Sequence, residues 1–112
     1  MAKRTSRSGG NSFDVFEFLP NGRLTVCTGF PVTYDISEIR SIDFSFFYNR
    51  SNISGVFKVI FRDGKKSRPF LFDYSVIVRK TVWFNTKQNI AQATEFLMNE
   101  LRARNIPCRI VY

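Results

Sequence analysis

The sequence contains no histidine, which excludes imidazole acid–base catalysis, Ser-His-Asp triads and histidine metal ligands. Cysteine is scarce: Cys27 and Cys108 stand 81 positions apart with no Cys-x-x-Cys pair, so they build no zinc site. Either thiol needs an activating partner to act as a nucleophile; otherwise it is a small buried hydrophobe or an inert exposed group. There is no Walker A sequence and no Gly-x-Gly-x-x-Gly. No stretch approaches the roughly 18 apolar residues of a membrane-spanning helix. Met1–Asn11 has no apolar run, so no secretory leader is expected. The expectation is a cytoplasmic protein with reduced thiols. Asn49-Arg-Ser and Asn52-Ile-Ser match the glycosylation acceptor pattern, and without a secretory route they mark only an exposed polar loop. Acids are few, nine against 17 Lys and Arg, for a net charge of +8. That balance favours anionic partners such as nucleic acid, acidic lipid or acidic protein, or it serves solubility alone.

What is present is aromatic and apolar. The 112 residues suit one domain, and 44% hydrophobic content suits a globular one. Thirteen Phe, four Tyr and one Trp lean the chain towards β structure, where aromatic side chains pack well on a pleated surface. Residues 1–12 are polar, Gly/Ser-rich and carry Lys3, Arg4 and Arg7, so a disordered basic tail is expected, followed by a single domain over residues 13–112.

Phe13–Leu19 reads as a first strand, Pro20-Asn21-Gly22 as a turn, and Arg23–Thr28 as the alternating second strand of a hairpin, with Cys27 on the face opposite Leu24 and Val26. Val32–Asp35 is a short third strand. Asp35 can cap one helical turn, leaving Ile36 and Ile39 as plugs. Ser41–Tyr48 is a fourth strand and Asn49–Ile53 a polar loop. Gly55–Phe61 carries apolar residues on both faces, as in a strand covered on both sides. Asp63-Gly64 is a strong hairpin signal leading to Ser67–Tyr74, whose Pro69 implies an edge or a bulge. Ser75–Lys80 is a loop or a lead-in, and Thr81–Phe84 a seventh strand.

The helix over about Lys87–Arg104 has the clearest pattern. Asn85 or Thr86 caps it, with Gln88 three residues after Asn85 as in a capping box. Ile90, Ala93, Leu97 and Leu101 form one apolar stripe, widened by Phe96 and Met98. Asn105 suits a left-handed cap, Pro107 prevents continuation, and Ile106–Tyr112 can add a short strand.

Strongly bent antiparallel strands with an apolar helix closing their open end resemble a pleckstrin-homology-like (PH-like) domain of the small bacterial group. The resemblance rests on four features: the hairpin at Pro20-Asn21-Gly22, the segment Val32-Thr-Tyr-Asp-Ile-Ser-Glu-Ile-Arg-Ser-Ile, the late hairpin turning at Asp63-Gly64, and Trp83-Phe84-Asn85 running into the helix. It implies a mainly β fold, a bent sheet or partly open barrel of about seven strands closed by one C-terminal helix. It also implies a non-catalytic interaction or scaffold module without a cofactor, partnered by protein or by its own copies, with anionic lipid or nucleic acid as alternatives. The family's phosphoinositide pattern of cations across the first hairpin is missing, since Glu17–Thr28 offers only Arg23.

Arg62, Lys65, Lys66 and Arg68 cluster at the Asp63-Gly64 turn, with Arg79 and Lys80 as candidate neighbours. Such a tip can hold phosphates through point contacts, or it is a solvated turn that keeps strand edges from pairing with other chains. Phe47, Tyr48 and Arg50 are the one candidate set of exposed rings beside a cation, with core or rim packing as the alternative. Asp43 and Asp73 could meet across a sheet, or serve as separate surface acids. No catalytic, cofactor or metal residues are assigned.

Overall fold

The computed structural model describes residues 13–50 and 52–111, so the basic tail expected over residues 1–12 lies outside the described residues. Strands β1 (Phe16–Leu19), β2 (Arg23–Val26) and β3 (Val32–Asp35) form an antiparallel three-stranded sheet in that order. Gly22, with φ +78°, makes the first turn as Asn-Gly implies. The Asp35 side chain accepts from the Ser37 amide and starts one 3₁₀ turn, Ile36–Glu38. β4 (Ile39–Asn49) and β5 (Asn52–Phe61) then pair along their whole length. β6 (Phe70–Phe72) adds to β5, and β7 (Cys108–Ile110) adds to the far side of β4, running parallel to it. The second sheet thus has the order β6-β5-β4-β7.

Helix α1 (Ser75–Val78) is one short turn, and α2 (Lys87–Arg102) is the long helix. The fold is therefore mainly β, with seven strands and one long C-terminal helix. Its strands form two sheets and do not close into a barrel.

The core explains the layering. Leu24, Val26, Ile42, Phe44, Phe57, Val59 and the α2 stripe Ala93, Leu97 and Leu101 belong to one buried cluster shared by both sheets and the helix. Phe16 of β1 meets Phe57 of β5 at 5.3 Å between ring centres, and Tyr34 of β3 meets Phe61 of β5 at 5.4 Å. The helix lies over this core with Met98 buried, as its spacing implies, whereas Phe96 is exposed and does not widen the stripe.

Several local expectations change, each for a physical reason. The first strand is shorter than read, with Val15 buried just ahead of it and Phe16 on its inner face. Ile39 and Ile42 both reach the core although three positions separate them, because the β4–β5 register shifts between Ile39 and Ser41. A bulge turns the strand over at that point, which a period of two cannot do. Asn49–Ile53 is not a loop: Asn49 pairs with Asn52 across a tight turn in which Arg50 takes a left-handed φ of 59°.

β5 is covered on one face more than the other, since Phe57 and Val59 are fully buried while on the opposite face Val56 is half-buried and Lys58 exposed. The Asp63-Gly64 hairpin forms as read, with Gly64 at φ +92° and its amide bonded to the Phe61 carbonyl at 2.9 Å. Pro69 sits where one extra residue separates the Ile60–Lys66 bridge from the Phe57–Phe70 pair, on the edge strand side. Ser67 bridges the irregularity by accepting the Val59 amide on its hydroxyl at 2.8 Å.

Thr81–Phe84 is not a strand. The seventh strand is instead the short C-terminal one, and Thr81–Phe84 is an irregular connection between α1 and α2. The cap of α2 is Thr86, whose hydroxyl accepts from the Asn89 amide at 3.0 Å while the Asn89 side chain accepts from the Thr86 amide at 3.2 Å. The capping box therefore closes on Asn89, not between Asn85 and Gln88. At the other end Asn105 takes a φ of 60°, and the Ile106 amide returns to the Leu101 carbonyl at 3.0 Å.

Candidate functional site

Asn52 is the residue that fastens an exposed aromatic segment to the second sheet. It opens β5 directly after the tight turn. Its Oδ1 accepts from the Ile53 and Asn85 amides, each at 2.9 Å, and its Nδ2 donates to the Trp83 carbonyl at 3.2 Å. Asn85 is buried and its own Oδ1 accepts from the Tyr74 amide at 3.1 Å. Two carboxamides thus fasten the irregular segment before α2 to the β4–β5 hairpin and to the start of α1. Asn52 is therefore not the solvated acceptor of a polar loop, because its carboxamide is committed at both ends.

Replacing Asn52 with Ala removes the acceptor of the Asn85 amide, so about 1–2 kcal/mol of stability should be lost. A urea titration followed by far-ultraviolet circular dichroism, together with faster protease cleavage near residue 83, measures it. A midpoint equal to that of the parent would show that the clamp is dispensable.

The clamp holds the backbone while the side chains it presents stay in water. Trp83 is 80% exposed, Phe84 71% and Tyr48 61%. Such values are far from the burial usual for large aromatic residues. Arg50, Lys80 and Lys87, all exposed, stand next to these rings in the chain. Beside this end, between β4 and the first turns of α2, runs a groove of about 530 Å³ whose lining includes Phe44, Ile53, Ile90, Ala91 and Thr94, with Lys87 among its polar residues.

Sequence reading found Tyr48 and Arg50 but missed Trp83 and Phe84 by assigning them to a strand. Val82-Trp83-Phe84 is three apolar residues without alternation, immediately ahead of a helix cap. That absence of alternation was the available signal.

The basic cluster is divided by the fold. Arg62 donates from Nε to the Ser37 carbonyl at 2.8 Å, and Arg68 donates to the Phe30 carbonyl at 3.0 Å while lying 4.4 Å over the Phe70 ring. Arg79, left-handed at φ 62°, closes α1 and pairs with Asp14 at 2.8 Å. Lys65 and Lys66 are exposed at the hairpin turn, and Lys80 is exposed beside the ring segment. The guanidinium groups are thus engaged in holding loops, although the three arginines, like the three lysines, stay exposed.

The two acids named from sequence also part. Asp73 accepts from the Ser75 amide at 2.9 Å and starts α1. Asp43 faces Arg109 across the parallel β4–β7 pair, receiving Nε and Nη2 at 3.0 and 3.1 Å and the Ser41 hydroxyl at 2.8 Å. Burial pushes the Asp43 carboxyl up, but the hydrogen bonds from Arg109 and Ser41 outweigh it and hold the group below its ordinary value. A carboxyl lowered by folding contributes stability that is full above its unfolded value and is lost as the pH falls through the folded one. Asp43→Asn should therefore flatten the acid limb of a stability–pH profile below about pH 4. An acid limb identical to that of the parent would mean that the Arg109 pair is not coupled to folding.

Cys27 and Cys108 are both half-buried and unbridged. Burial raises the Cys108 thiol, the opposite of the activation a nucleophile needs. Among the described residues, no three Cys, Asp or Glu side chains gather into a grouping able to hold a metal. No helix among them is long and apolar enough to cross a membrane. Comparison of the chain with family models, with curated proteins and with solved structures finds no match.

Proposed function

We propose that this protein is a non-catalytic interaction module of PH-like character that docks an anionic partner on the end carrying Trp83, Phe84 and Tyr48. The observation that carries it is the pairing of extreme ring exposure with a clamped backbone. Trp83 and Phe84 are 80% and 71% exposed, yet the main chain at Trp83 and Asn85 is bonded to Asn52. Exposed rings on a fixed segment lose little freedom when a partner covers them, which favours binding.

The charge supports an anion. The chain segments that carry these rings, 44–55 and 80–94, contain Arg50, Lys80 and Lys87 and no acid. The order of hairpins followed by an apolar-faced helix supports the PH-like reading, while the parallel strand added after the helix departs from it. The unbridged thiols suit a reducing compartment such as the cytoplasm.

The sole tryptophan makes the test direct. Trp83 emission should change on adding at least one of three polyanions: a mixed-sequence oligonucleotide, phosphatidylserine vesicles, or an acidic polypeptide. The response should weaken between about 50 and about 200 mM salt. Emission unmoved by all three would overturn the reading.

A further inference from the structure

We propose that the aromatic end is a platform for single-stranded nucleic acid, with Trp83, Phe84 and Tyr48 stacking bases and Arg50, Lys80 and Lys87 holding phosphates. The proposal rests on the anionic-partner reading and names the partner.

Three observations lead there. The first is the order of residues: Lys80 and Lys87 bracket Trp83-Phe84 at three positions on either side, and Arg50 follows Tyr48 by two. Rings alternating with cations along exposed chain are what a strand with stacked bases and a charged backbone requires. The second is that the rings are open while the chain is fixed, so bases find preformed flat surfaces. The third is that the one acid lining the adjoining groove, Glu95, faces Arg102 at 3.8 Å, so part of its charge is offset within the protein.

A membrane surface also presents anions, but the polar residues among the rings count against it. Asn49, Thr81, Thr86 and Gln88, close to the aromatic residues in the chain, are exposed. An apolar layer would strip their water without offering hydrogen bonds in return. A nucleic acid strand offers phosphate oxygens and base edges to the same groups. The partner is single-stranded because a duplex keeps its base faces stacked inside, out of reach of protein rings.

The test uses the intact chain. A mixed-sequence single strand of about 12 nucleotides should quench Trp83 emission, and a duplex of equal length should not. Binding followed by the anisotropy of a labelled strand should weaken about tenfold or more in each of Trp83→Ala and Phe84→Ala. Lys80→Ala with Lys87→Ala should weaken it and lower the slope of log affinity against log salt by about two. These side chains lie at the surface, and thermal melts of the variants verify that the fold is kept. A Trp83→Ala variant that binds as tightly as the parent overturns the stacking platform. So does a blue shift with phosphatidylserine vesicles in the absence of any response to the single strand, although the anionic-partner reading then stands. Silence towards every polyanion overturns both.

Discussion

Phe57→Ala is expected to remove about 3–5 kcal/mol of folding stability. Phe57 is fully buried, and its ring centre lies 5.3 Å from that of Phe16, 5.4 Å from Phe44, 5.3 Å from Phe70 and 6.1 Å from Phe72. Phe16 belongs to the first sheet and the other three to the second, so this one ring joins the layers. Its loss leaves a cavity between two sheets whose backbones are each held by their own ladders, and neither can close it without breaking pairs. Small domains have only about 5–15 kcal/mol in total, so the variant stands near the limit of folding. Urea denaturation measures the loss, with Phe57→Leu expected to fall between the variant and the parent because it restores part of the volume. A loss under about 1 kcal/mol would show that the sheets are held together elsewhere.

Gly55→Val should cost nearly as much, about 3 kcal/mol, by the opposite route. Gly55 pairs with Phe72 across β5 and β6, and the Phe72 ring lies over it. A Cβ built on Gly55 falls inside the van der Waals envelope of that ring. The ring cannot swing away freely, since Phe72 is buried and packs edge-on against Phe44 at 5.8 Å. The backbone itself tolerates a side chain, because Gly55 does not take a positive φ. The three atoms nearest that Cβ all belong to the ring, which yields a check: Phe72→Ala should restore part of the stability that Gly55→Val removes. The two changes should be non-additive in a double-mutant cycle. Simple additivity would mean that the glycine is needed for some other reason. Valine suits strands better than glycine in general, so a destabilised variant cannot be attributed to propensity.

Much of the scaffold was readable from short-range chemistry. Asp63-Gly64 sets a turn because glycine takes positive φ at no steric cost, and it does so here at φ +92°. The Asp35 side chain starts a helical turn by accepting the Ser37 amide, a contact two residues long. The stripe Ile90, Ala93, Leu97 and Leu101 required a buried helix face wherever the helix came to rest. Two of the larger misreadings involve groups whose partners are far away in the chain. Thr81–Phe84 is apolar enough for a strand, yet it joins neither sheet. The edge of β4 is occupied instead by β7, more than 60 positions later. The basic cluster looked continuous, but Arg62, Arg68 and Arg79 are spoken for by Ser37, Phe30 and Asp14.

By itself, then, the sequence determined a mainly β chain with its hairpin turns, its capped amphipathic helix, its want of histidine and its excess of positive charge. Each of these follows from neighbours a few residues apart or from composition. The tertiary structure alone decided that the strands divide into two sheets, that β7 runs parallel to β4, and that Asn52 fastens Trp83 and Asn85 so that aromatic rings remain in water. Those outcomes depend on hydrogen bonds spanning more than 30 positions, such as Asn52 to Trp83 and Asn85. A pairing at that distance is chosen by the packing of the whole core, which no local periodicity records.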